Sequence, residues 1–254
     1  MPQNTENYNL LEEDWIPVLR TNGRAERVGI RTALLEAGSI RQIAASNPID
    51  NVALLRLLLA VLQWCKPDPT PDELEVFRSK DLRGVPPEWL TKLGTPDPPN
   101  PLFNLLGKAH RFMQAPPDSD KERPVADLFH ELPGGTNVAH FRHIRDYREG
   151  ACPACVAVGL ARLPVAITGK GASKRAGING DPPLYFVPFG RTLRKTFHLN
   201  WPFDSHPVTR PVGQAIPRRI RQGSQSVYWK VSPGLQDSSG STISPCCRRL
   251  HGVR

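Results

Sequence analysis

No stretch of this chain holds the ~18 consecutive apolar residues that a membrane span needs. The longest apolar run, residues 52–64, is interrupted by Arg56 and Gln63. The opening MPQNTENYNLLEEDW lacks the basic-then-apolar order of a secretory signal. A cytoplasmic protein with no membrane partner is therefore expected. Motifs of common catalysts are missing too: no HExxH, GxSxG, GxxxxGK[ST] or paired-carboxylate pattern occurs. No catalytic residue is assigned, and the expectation is a protein that is not an enzyme. Cysteine is scarce and odd in number, five in 254 residues. The spacing Cys152-x-x-Cys155 and the adjacent pair Cys246–Cys247 speak for metal binding or reduced thiols rather than a secreted disulfide scaffold. Cys65 ends an apolar helix and is expected in the core.

Charge and proline are present in excess. Lys and Arg number 33 against 24 Asp and Glu, a net charge of +9. Residues 168–230 hold 11 Lys/Arg against two acids, Asp181 and Asp204. This quarter of the chain carries the whole excess, and such a local excess attracts polyanions through counterion release. Proline, at 27 of 254 residues, is about twice its usual share. The expected fold is α+β and loop-rich, with mixed small sheets and helices.

Residues 1–8 read as a disordered lead. Leu10–Leu19, containing WIPV, reads as a strand, followed by the turn Thr21–Asn22–Gly23–Arg24 and a second strand near Arg27–Ile30. TALLEA at 32–37 reads as a short helix stopped by Gly38. Asp50 is placed as the N-cap of a helix over Asn51–Trp64, whose Leu55, Leu58, Leu59 and Leu62 share an apolar face. Further helices are expected near Asp72–Lys80 and Val156–Leu163. Leu184–Phe189 is expected as a strand, and Arg191–Leu199 as a helix or strand with a basic face. From Gly223 the apolar periodicity is lost, and Ser238–Ser244 is serine-rich. Residues 223–254 are expected to be an aberrant, disordered tail, as a truncated or shifted reading frame would produce.

Three stretches carry candidate chemistry. The turn of a C-x-x-C can aim two thiolates at one zinc, so Cys152 and Cys155 read as half a tetrahedral site. Cys246 and Cys247 are candidates for the other half, with His140, His143 and His251 as substitutes. A redox dithiol and a chance structural pair are the competing readings. Second, TNVAHFRHIRDYR at 136–148 interleaves aromatic rings with arginines, a mixture that stacks on unpaired bases and pairs with phosphates. Third, TGKGASKRAGING at 168–180 is glycine-rich and basic. Its glycines permit close backbone approach to phosphates or a groove, and its lysines add point charges.

Several of these motifs, in register, resemble the CasA family, the large subunit of the type I-E CRISPR surveillance complex Cascade. NLLEEDWIPVLRTNGRAERVGIRTALLEAGSIRQI at 9–43 is similar to the family's opening, and ALLRLLLAVL at 53–62 to its leucine-rich helix. RFMQ at 111–114 resembles its H-P-F-M-Q element, with Arg111 in place of Pro. GGTNVAHF at 134–141, CPAC at 152–155 and TGKGASKRAGINGDPPLYFV at 168–187 follow in the family's order. The resemblance implies a non-catalytic subunit that recognises the protospacer-adjacent motif in double-stranded DNA, aids duplex opening and recruits a helicase-nuclease. It implies that Gly169, Lys170, Gly171, Lys174 and Arg175 lie on DNA. It further implies that Asn137, Val138, His140, Phe141 and Arg142 anchor the subunit near the guide RNA and the other Cascade subunits. A domain over 9–222 built around a zinc knuckle is implied, with the family's C-terminal helical bundle and second C-x-x-C missing. The rival reading is a stand-alone zinc-containing nucleic-acid-binding protein unrelated to CRISPR.

Overall fold

The structure is a computed structural model, and it describes residues 8–78, 82–106, 111–114, 128, 151–166 and 185–201. The first strand, β1 (Ile16–Arg20), pairs antiparallel with β2 (Ala25–Val28), with Ile16 opposite Val28 and Val18 opposite Glu26. Gly23 makes the turn between them at φ +86°, a conformation that suits a residue without Cβ. After the short helix α1 (Ile30–Leu35), β3 (Ile40–Ile43) returns antiparallel on the other side of β1. The sheet order is therefore β2-β1-β3. Arg20 ties the sheet to the end of α1 through ion pairs with Glu26 at 2.6 Å and Glu36 at 2.7 Å.

The stretch before β1 is a turn rather than the first half of a strand. Asn9 closes it: its Oδ1 accepts from Leu11 N at 3.0 Å, and its Nδ2 donates to Asn104 Oδ1 at 2.7 Å. Leu10 and Leu11 are thereby driven fully into the core, and the Trp15 indole donates to Leu10 O at 2.9 Å. Folding back in this way meets the buried polar groups of the segment without a ladder. β3 has no counterpart in the sequence expectation.

The central element is α2 (Pro48–Cys65). By length and composition alone it could cross a membrane. Here Leu54, Leu55, Leu58, Val61 and Leu62 are buried in the core. Asp50 is not its cap. Pro48 stands at the first helical position, where its missing N–H matters least, and Asn47 Oδ1 accepts from Ile49 N at 2.9 Å. The helix thus begins three residues before the expected start and carries Asp50 into its buried first turn.

Helix α3 (Pro71–Arg78) opens with a reciprocal cap: Glu73 Oε2 accepts from Thr70 N at 2.8 Å, and Thr70 Oγ1 accepts from Glu73 N at 3.3 Å. Two 3-10 helices, Pro87–Leu93 and Pro101–Phe103, follow. Phe77, Trp89 and Trp201 pack with ring centroids 5.4–5.8 Å apart. Helix α4 (Pro153–Ala166) lies against α2, and α5 (Leu193–Asn200) against β3 and α3. The described residues thus combine helices with one small antiparallel sheet. The strand expected at 184–189 does not form: among the described residues, 185–190 join no sheet.

Candidate functional site

The C-x-x-C sits at the start of α4. Cys152 precedes Pro153, which pre-sets the first helical turn. Val156 N donates to Cys152 O at 2.9 Å, and Cys155 N donates to Cys152 Sγ at 3.3 Å. The helix start therefore places both sulfurs on one side, 2.8 Å apart. Cys152 is buried, and Cys155 is half-buried. A zinc ion holding both at about 2.3 Å would separate them by about 3.8 Å. The pair fits half a tetrahedral donor set once opened by about 1 Å. Among the described residues no group of three or more His, Cys, Asp or Glu converges on a metal position.

The position of this pair depends on a contact the sequence did not advertise. Arg162, two turns along α4, forms a two-pronged ion pair with Asp50 of α2; Nη2 donates to Oδ2 at 2.7 Å and Nε to Oδ1. The two residues are 112 positions apart in the chain. Side-chain exposure is only 2% for Arg162 and 8% for Asp50. Ala157 and Ala161 are also buried; such small side chains suit a close approach of α4. Arg162 Nη1 further reaches Leu128 O at 3.4 Å. The one available signal was a lone arginine inside the apolar run VAVGLARLPVA.

The basic segment is only partly described. Arg191 is exposed, but Arg194 is buried and its Nη1 donates to Phe77 O. Burial holds the Arg194 pKa below its ordinary value. Lys195 Nζ donates to Arg78 O at 2.8 Å. Both side chains thus turn to the carbonyl end of α3, where a cation offsets the negative end of the helix dipole. The expected basic face of α5 is corrected accordingly: Arg194 belongs to the core. His198 has its pKa lowered by burial and then by Arg78, Lys195 and Arg194, against an opposing effect of Glu75.

The remaining site residues lie outside the described residues. They are Cys246 and Cys247; Gly169, Lys170, Gly171, Lys174 and Arg175; and Asn137, Val138, His140, Phe141 and Arg142.

A sequence profile of the CRISPR-associated protein Cse1 matches residues 9–241. The chain belongs to the Cse1 (CasA) family. The CRISPR-associated protein CasA/Cse1 of Thermus thermophilus is 30% identical over an alignment 231 residues long, which covers 85% of this chain and 43% of that relative. The chain therefore spans less than half the length of this Cse1 relative. The solved structure of Thermus thermophilus CasA matches at 26% identity with a TM-score of 0.54, over 77% of this chain and 40% of that one. A chain of a CRISPR RNA-guided surveillance complex matches in fold at a TM-score of 0.62 and 18% identity, over 78% of this chain and 44% of that one.

Proposed function

We propose that this chain serves as the N-terminal part of a Cascade large subunit. In this role it binds double-stranded DNA beside the target, reads the protospacer-adjacent motif, aids duplex opening and helps recruit a helicase-nuclease, without catalysing a reaction itself. The observation that supports the reading is the family match over residues 9–241. Lys170, Lys174 and Arg175 would neutralise phosphates. Gly169 and Gly171 would let the backbone approach the minor groove, whose degenerate pattern tolerates more than one motif. Asn137, Val138, His140, Phe141 and Arg142 would hold the subunit to the guide RNA and its neighbouring subunits. The assembly would work in the cytoplasm.

In this reading a zinc ion, held by Cys152 and Cys155 with Cys246 and Cys247, would supply a cross-link rather than a reaction. It would pin the start of α4, which the Asp50–Arg162 pair already fixes to α2. The experiment that tests the reading is co-expression of the tagged chain with the other Cascade subunits and a guide RNA. Stoichiometric co-purification of guide RNA and subunits is expected. Recovery of the chain alone, while the remaining subunits assemble on the guide without it, would overturn the proposal and favour the stand-alone nucleic-acid-binding reading.

A further inference from the structure

Residues 185–201 hold Arg191, Arg194 and Lys195 and no acidic side chain. Their first six residues form no helix or strand, yet the backbone is tied down at several points. The Tyr185 hydroxyl donates to Val165 O at 3.0 Å, and the Arg56 guanidinium lies 5.7 Å from the centre of its ring. Val187 packs on the core. Pro188 O accepts from Asn200 Nδ2 at 2.7 Å, and Gly190 N donates to Thr196 Oγ1 at 3.1 Å.

On this fixed segment two aromatic rings face water: Phe186 is 85% exposed and Phe189 66% exposed. Phenylalanine has no polar atom to justify exposure, and burying such a side chain is favourable by about 1.5–3 kcal/mol. Two exposed rings on one ordered segment therefore mark a surface that something covers. The local charge selects what covers it. Arg191, two residues after Phe189, is exposed. Gln42 and Phe189 line one cleft of about 140 Å³. Flat rings on a constrained backbone, with a guanidinium two residues away and an amide within the cleft, suit an unpaired base joined to a phosphate. The rings offer stacking, the guanidinium neutralises the backbone, and the amide can bond a base edge.

We propose that Phe186 and Phe189 form a stacking platform for unpaired bases of single-stranded nucleic acid, with Arg191 on its phosphates. The proposal deepens the functional reading above and rests on it for its setting, since an opened duplex presents unpaired bases.

The test uses the full chain and two fluorescein-labelled probes, a 15-nucleotide oligo-dT and a blunt duplex, read by fluorescence anisotropy across a salt series. The Phe186→Ala/Phe189→Ala variant is expected to bind oligo-dT at least about fivefold more weakly, the low end of one lost base–aromatic stack. Its log-affinity against log-salt slope should equal wild type, because the rings carry no charge. Duplex affinity should not change. Phe186→Tyr/Phe189→Tyr, which keeps both rings, should retain oligo-dT affinity within about twofold, below the effect of losing a stack. Matching circular dichroism spectra establish that the variants fold alike. Wild-type oligo-dT affinity in the alanine variant, or absence of oligo-dT binding by wild type, would overturn the platform. So would concentration-dependent dimerisation of wild type that the alanine variant abolishes, which would assign the rings to a second copy. Duplex binding and co-purification report on the functional reading separately, so either idea can fail while the other stands.

Discussion

Asp50 and Arg162 show how one residue pair organises the molecule. Removing a single partner of a buried pair leaves an uncompensated charge, which typically costs about 3–5 kcal/mol, whereas replacing both with apolar groups is often nearly neutral. Asp50→Ala is therefore expected to lower the urea midpoint by that equivalent, and Asp50→Leu/Arg162→Met to recover most of it. Equal losses in the single and double variants would show that the pair does not join α2 to α4. Cys65 offers a simpler check. Burial pushes its thiol pKa up to about 12, against smaller lowering effects of Lys92 and Arg31. The reactive species is the thiolate, so Cys65 should resist a thiol reagent at pH 8 in the native protein and react only on unfolding. Fast native labelling assigned to Cys65 by peptide mapping would contradict its place in the core. The spacing of Cys152 and Cys155 placed their sulfurs side by side in advance, and they lie 2.8 Å apart. The burial of Asp50 did not show, because its partner lies 112 residues away.

Among the elements, α1 and α2 were legible because leucine spacing and nearby turn residues both mark them. Their ends were less so. Asn47 and Asp50 are both good capping types, and Pro48 between them decides in favour of Asn47. Asn47→Ala should destabilise by about 1 kcal/mol, while Asn47→Asp should be close to neutral; thermal unfolding of both variants checks this. The strand expected at 184–189 failed for a nonlocal reason: an apolar run becomes a strand only where a partner supplies the ladder.

The reciprocal cap of α3 makes a pH prediction. The Lys66 side chain, followed by the Thr70 backbone N–H, holds the Glu73 pKa below its ordinary 4.5. A depressed carboxylate pKa contributes stability above the unfolded value, and that contribution is lost as pH falls through the folded value. Glu73→Gln should therefore flatten the acid side of the stability–pH curve and remove none of its slope above neutrality. An unchanged acid limb would rule out this contribution. The start of α4 supports a metal test. Purified protein is expected to carry up to one zinc per chain, lost in Cys152→Ser. Metal-free protein with both thiols open to titration would rule out the zinc cross-link.

For the molecule as a whole, the order of motifs from residue 9 to 187 carried the family, and the profile match over residues 9–241 establishes it. Composition alone located the charge but not its use. Of the cations in 185–201, Arg194 is buried and Lys195 turns to the end of α3, while Arg191 is exposed. The central functional claim therefore falls on Lys170, Lys174 and Arg175. It is tested most directly by a salt titration of target-duplex binding, using the assembled complex with wild-type chain and with all three residues replaced by Ala. Each phosphate contact contributes roughly 0.9 to the slope of log affinity against log salt. The account predicts a slope shallower by up to about 2.7 in the triple variant, with guide RNA and subunits still bound. Identical slopes for the two complexes would contradict it.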